Sequence, residues 1–333
     1  MQDEHAPENA AEEQAIAGMI CRLKEKITQE SSPGKFRRDT HSKMYGLVKA
    51  EFIISPKLPE ELAFGLFQTP QTFQAWIRFS NQDTGNKPDL ERDIRGMAIK
   101  LMGVPGIKLC APIDGNTHDF VLINPPMFIA KDVFEFAGML AALQGNLWQK
   151  IVFFTLHFKV LCNLLMSAVQ IANPLHTRYY STTPYRLGER VVKYSAIPRY
   201  RTADIVPLEA PDNYLRDAMT RSLSRNEAYF DFCVQLQTNE NEMPLENAQV
   251  EWSEELSSFH KVATIRILQQ DFDDTAHDQL GENLSFNPWR ALEVHQPLGS
   301  INRARRKVYE AISAFRHKGN EQIESEPSSW DLP

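Results

Sequence analysis

The stretch Tyr229–Thr238, YFDFCVQLQT, decides the fold class. Phe230, Phe232, Val234 and Leu236 share one face, and Asp231, Cys233, Gln235 and Gln237 share the other. A period of two is the mark of a half-buried strand. Working outward, similar strand-like patterns occupy Gly46–Ser55, Thr72–Asn81, Gly96–Met102, His118–Asn124, Arg190–Ile197 and His260–Phe272. Many such strands, separated by turns and irregular stretches, argue for an antiparallel barrel or sandwich. No internal repeat stands out.

Helical periodicity interrupts the strands. Glu13–Gln29 places Ile16, Met19, Ile20, Leu23 and Ile27 on one face, and Ser31-Ser32-Pro33-Gly34 ends that helix. Asp132–Gln144, Ile151–Ala172 and Ser300–Arg316 read as further helices. Ile151–Ala172 is unusually apolar, and about 20 apolar residues suffice to cross a membrane. His157, Lys159, Asn163 and Gln170 interrupt it, so it reads as a buried or substrate-facing helix. Contact with a membrane surface is the open alternative. Residues 1–12 and the polar segment after Arg316 read as loose ends.

Composition narrows the function. The chain has 333 residues, 42% hydrophobic and 24% charged, which excludes a disordered chain, a collagen and a coiled coil. A net charge of -7 does not favour a nucleic-acid groove, and no such partner is expected. Cys21, Cys110, Cys162 and Cys233 are scattered without a CxxC pair, so no zinc ribbon or thioredoxin motif is present. Scattered cysteines and an acidic start without a secretory pattern point to the cytoplasm. The Arg178–Gly188 segment, RYYSTTPYRLG, reads as a packed loop or the rim of a pocket. No glycine-rich phosphate loop and no paired-histidine metal spacing occurs.

The segment Ile301–Arg316, INRARRKVYEAISAFR, carries chemistry. Arg305, Tyr309, Ile312 and Arg316 are spaced four, three and four apart and form one helical stripe. Positive charge one turn away stabilises a phenolate, and a tyrosine phenolate can be the axial ligand of a haem iron. A basic surface helix with Tyr309 packed on the core is the other reading. Other segments join it. Arg38-Asp39-Thr40-His41 precedes a strand; Trp76, Arg78 and Ser80 point to one face of another. Arg92-Asp93-Ile94-Arg95-Gly96 follows, then a strand ending Asn124-Pro125-Pro126-Met127-Phe128, then Asp132 and Phe136.

In this order, R-x-x-H, R-F-S, R-D-x-R-G, an asparagine before P-x-F, and R-x-x-x-Y with an arginine seven residues on, the chain resembles the catalase superfamily from Arg38 to Arg316. The resemblance implies an α+β protein: an antiparallel β-barrel core with surrounding helices over residues 33–318. Residues 1–32 would be a tail and amphipathic helix, and residues 319–333 a disordered tail. It implies haem b, with Tyr309 as the iron ligand and Arg305 keeping that phenolate ionised. Arg38, Arg78 and Arg316 would pair with the haem propionates, and Phe136 would lie over the distal face. His41 would be the distal histidine, Ser80 its support, and Asn124 the group that orients a peroxide. The sequence departs at two points. An ungapped alignment puts Ile123, not Asn124, at the distal asparagine. Thr40 precedes the distal histidine where catalases usually carry valine. Threonine there resembles the allene oxide synthase branch, which rearranges fatty-acid hydroperoxides. The expected substrate is therefore an organic hydroperoxide, of fatty-acid type, with Ile151–Ala172 as an apolar channel wall lined by Phe153, Phe154, Phe158, Leu161, Leu164 and Leu165. A small true catalase and a non-enzymatic haem- or lipid-binding barrel are the alternatives, and a homodimer is compatible with all three.

Overall fold

The computed structural model describes residues 10–32, 36–83, 87–110, 115–200 and 205–332. Nine strands form one antiparallel sheet: β1 (Met44–Ile54), β2 (Thr72–Asn81), β3 (Arg95–Leu101), β4 (His118–Ile123), β5 (Tyr179–Tyr180), β6 (Tyr185–Leu187), β7 (Arg190–Pro198), β8 (Ala228–Leu236) and β9 (Phe259–Ile267). Their order is β5-β4-β3-β2-β1-β9-β8-β7-β6. Strand β5 pairs with β4 at Ile123–Tyr180 and with β7 at Tyr179–Ala196 and Tyr180–Ser195, which closes an eight-strand ring and leaves β6 outside it. The barrel expected from alternation is present, and the sandwich is not.

Period two explains the interior. Ala50, Phe52 and Ile54 of β1, Phe73, Ala75, Ile77 and Phe79 of β2, and Phe230, Phe232 and Val234 of β8 are buried in one core. Phe52, Phe120, Tyr194 and Phe232 pack ring against ring across it, with centroids 4.7–6.0 Å apart. The interior is thus filled by side chains, as expected for a barrel of this size.

Seven helices are found among the described residues: α1 (Ala10–Glu30), α2 (Val133–Gln144), α3 (Leu147–Leu156), α4 (Phe158–Ser167), α5 (Tyr214–Leu223), α6 (Thr275–Asn283) and α7 (Ser300–Gly319). Asp132 caps α2 by accepting from the Glu135 N–H, a contact worth about 1 kcal/mol. The single helix expected over Ile151–Ala172 is instead two arms bent by 97°. The break is at His157, whose Nδ1 lies 2.9 Å from Glu135 Oε1 of α2 and whose ring stacks on Phe153 at 4.4 Å. Sequence periodicity cannot register a bond made by another helix. Helices α5 and α6, with strands β5 and β6, were not expected; β5 and β6 lie in the segment read as a loop.

The helix expected over Glu13–Gln29 is present as α1, with Ile16, Met19 and Ile27 buried, whereas the other chain end differs from expectation. Residues 1–9 of the expected tail lie outside the described residues, as do Pro33 and Gly34 of the helix-breaking signal. Helix α1 is not an appendage: Ile16 and Met19 pack with Val133 and Ala304, and Glu12 and Glu13 pair with Arg303 and Lys307 of α7 at 3.0 Å. At the other end, residues 320–332 strap across the outside of the barrel instead of fraying. The Trp330 indole donates to the Ala75 carbonyl at 3.0 Å, and Trp76 donates to Ser329 O at 3.1 Å. Glu326 reaches Lys100 at 2.6 Å and Arg290 at 3.1 Å; Lys100 also pairs with Asp119 at 2.8 Å. Burial of Lys100 without these carboxylates would be costly, which is why the polar tail is ordered.

Candidate functional site on the outer barrel wall

The outward residues of β2 and β3 make one wall. Ser80 pairs in register with Gly96 and Arg78 with Ala98, and Ala98 pairs with Val121 of β4. Small residues at 96 and 98 leave a flat recess. Residues 38–41 and Phe286 line its rim; α7 lies opposite with Val308, Tyr309, Ile312 and Arg316, and α1 contributes Leu23. The resulting cavity holds about 870 Å³ of atom-free space, counting its open mouth.

His41 hangs into the cavity from a left-handed backbone, φ 59°, fixed by its N–H donating to Gln82 O at 3.1 Å. A non-glycine residue there is uncommon and marks a conformation that the surroundings impose. Its Nδ1 lies 3.0 Å from Ser80 Oγ. Burial, and then the charges of Arg78 and Arg38, push its pKa down to about 3, so the imidazole is neutral. A Cβ on Gly96 would lie 2.6 Å from His41 Cε1 and Nδ1. Glycine is therefore what makes room for the ring.

Three guanidiniums converge on the C-terminal end of α6. Arg38 donates to the carbonyls of Gly281, Glu282 and Leu284, Arg78 to Gly281 O at 3.2 Å, and Arg316 to Glu282 O at 3.0 Å. These are the carbonyls a helix end leaves without partners, and that end carries about half a negative charge. Glu282 also bonds Arg316 at 2.8 Å. Glu282, Glu324 near Arg316 and a helix dipole still leave the three cations in excess. Accordingly Arg38 is held well below its ordinary value, by burial first and then by Arg78 and Arg316. Arg78 is pushed down to about 10, by burial first; Glu282 opposes the shift and Arg316 adds to it. Nε of Arg38 and Nε of Arg316 are buried without a hydrogen-bond partner. The arrangement could accept additional anionic oxygens.

Of the residues singled out in the sequence, the fold brings Arg38, Thr40, His41, Arg78, Ser80, Tyr309 and Arg316 to this one cavity. Arg305 lies one turn before Tyr309, donating to Thr183 Oγ1 at 3.0 Å and Asn302 Oδ1 at 3.2 Å, with its guanidinium over Phe128. Phe136 is a step removed, packed between Phe128 and the cluster that contains Val308. Asn124 is engaged elsewhere: its Oδ1 accepts from the Arg95 N–H at 2.6 Å and its Nδ2 donates to Ser167 O at 3.1 Å. The expected channel wall does not line the cavity. Phe153, Phe154 and Leu164 pack with Ile94, Ile129 and Val160, whereas Phe158 and Leu165 face solvent. The sequence reading gave no site role to Leu23, Ala98, Val121 or Phe286, because small and apolar residues carry no chemical signature; Gly96 was quoted within its motif without a role.

No family model matches the chain, and no curated protein does. Among solved structures the fold is similar to a fungal catalase (TM-score 0.67, 17% identity, 88% of this chain and 61% of that one). It is also similar to catalase A from Saccharomyces cerevisiae (TM-score 0.66, 16% identity, 88% and 62%) and to a bacterial catalase (TM-score 0.64, 15% identity, 100% and 67%). The chain has the catalase fold and spans 61–67% of the length of those proteins.

Proposed function

We propose that this chain is a haem-dependent enzyme that processes peroxides. One observation carries the reading: a single cavity is lined by a surplus of buried guanidinium charge, a neutral imidazole held by a serine, and a tyrosine on a helix facing them. The residues fit haem b. Arg38, Arg78 and Arg316 would hold its two carboxylates, with the unpartnered Nε atoms of Arg38 and Arg316 available to them. Tyr309 Oη would hold the iron. Bound haem would supply the redox chemistry that breaks an O–O bond. His41 would take the hydroperoxide proton at Nε2 and return it to the departing oxygen, while Ser80 fixes the ring through Nδ1.

For the substrate we propose an organic hydroperoxide of fatty-acid type, in the manner of the allene oxide synthase branch. The support is Thr40 beside His41 and an apolar lining that includes Leu23, Val121, Val308 and Ile312. Dismutation of hydrogen peroxide is the second reading, and the position of α3 and α4 away from the cavity favours it.

Protein from haem-replete cells is purified, its absorption spectrum recorded, and hydrogen peroxide and linoleate hydroperoxide are added in parallel. A haem band that Tyr309→Phe loses or shifts is expected, with faster consumption of the lipid peroxide. Thr40→Val should then raise oxygen evolution from hydrogen peroxide. A colourless protein inert to both peroxides overturns the proposal, and rapid oxygen evolution by the parent chain decides for the second reading.

A further inference from the structure

Helix α3 is made of LWQKIVFFTL, yet none of its residues is buried. Leu147 is 73% exposed, Trp148 70% and Leu156 76%; across the bend, Phe158 and Leu165 of α4 are 66% and 62% exposed. Clustered large apolar side chains in water mark a surface that meets something else.

The charge pattern says what that is. The chain carries 43 acidic residues and a net charge of -7, yet none of the acids lies between Phe136 and Gly188. The only charged residues of α3 and α4 are Lys150 and Lys159. The nearest acid on α2, Glu135, is tied to His157 and to the Lys131 N–H. Exposed tryptophan, phenylalanine and leucine with interspersed lysines suit the boundary of an anionic bilayer. A two-fold contact with a second copy would gather four lysines and no acid from these arms into one interface. Each arm has ten residues, about 15 Å of helix. That is half of the ~30 Å hydrocarbon core, so neither arm alone reaches across it, and the two are bent by 97°.

We propose that the α3–α4 elbow docks this protein on an anionic lipid surface. On its inner side Phe153 and Phe154 join Phe136 on the cluster of Ile94, Ile129, Met139 and Val160, which holds the elbow to the body of the protein. The docking does not depend on the substrate reading proposed above.

The test is co-sedimentation of the full chain with vesicles of phosphatidylcholine alone and of phosphatidylcholine mixed with phosphatidylserine. Binding to the mixed vesicles is expected, with a blue shift of Trp148, the one exposed tryptophan among the described residues. Lys150→Gln and Lys159→Gln should each weaken binding by about fivefold, and Trp148→Ser by about tenfold or more. Lys159→Arg should retain it. Equal binding to both vesicles, binding unchanged by these substitutions, or no binding overturns the proposal. Concentration-dependent dimerisation abolished by Leu156→Glu, without vesicle binding, assigns the face to a second copy. Haem content and peroxide consumption are read on the same samples, so colourless, inert protein that still sediments refutes the proposed function and leaves the docking intact.

Discussion

Gly96→Ala probes the geometry of the cavity directly. The added methyl would sit 2.6 Å from His41 Cε1 and Nδ1 and 3.1 Å from Ser80 Oγ, where ordinary contact begins at 3.4 Å. The imidazole must therefore move by roughly 0.8 Å, since it cannot interpenetrate the methyl. Rotation of the backbone is not available, because His41 already sits at φ 59° with its N–H bonded to Gln82 O. A displacement of this size is larger than the margin between the 3.0 Å contact to Ser80 and the ~3.5 Å limit of a hydrogen bond. Overpacking and the lost bond together should destabilise the fold by about 1–3 kcal/mol in urea unfolding. Peroxide consumption should fall about 100-fold, the usual effect of misplacing a general acid–base group. The His41 ring resonances should shift in the same variant. Parental stability, parental turnover and unmoved His41 resonances in Gly96→Ala would refute the reasoning.

Acid should weaken the fold through its buried histidines. His41 and His295 are each pushed down to about 3 by burial, and His118 lies well below its ordinary value. Each is lower in the folded chain than in the unfolded one, so protons are taken up on unfolding. Stability should then fall from ~pH 6.5 downward by up to ~1.4 kcal/mol per pH unit per histidine, ending only near the folded value. Urea unfolding of His41→Gln should show a slope shallower by one proton between pH 6 and 4, and an identical slope contradicts the burial argument. Truncation after Gly319 removes Glu324, Glu326 and Trp330 and leaves Lys100 and Arg290 short of carboxylates. It should cost about 3–5 kcal/mol in denaturant unfolding, whereas a neutral truncation would restore the frayed-tail expectation. Asn124→Ala frees a backbone N–H and a carbonyl and should cost about 1–3 kcal/mol. Its peroxide turnover should stay parental, and a selective loss of turnover with normal stability would return Asn124 to the chemistry.

What could be read in the sequence was whatever repeats at short range. Alternation over Thr72–Asn81 gave that strand to the residue and placed Arg78 and Ser80 on one face, which the cavity uses. The four-three-four spacing likewise put Tyr309 and Arg316 on one helical stripe. Illegible were the features fixed by distant partners. His157 breaks a helix because of Glu135, and the tail is ordered because of Lys100. The receptor for the arginines is backbone, the last carbonyls of α6, and backbone has no letter in a sequence.

The ring closes through very little ladder. Strand β5 has two residues and meets β4 at one position, whereas β1 and β2 are matched over nine. Between β4 and β5 the chain leaves the wall to build α2, α3 and α4. The hoop is thus latched, not welded, beside its own lateral outgrowth. Amide protons of Tyr179 and Tyr180 should be the first of the wall to exchange, and any pull on the outgrowth is delivered to that latch.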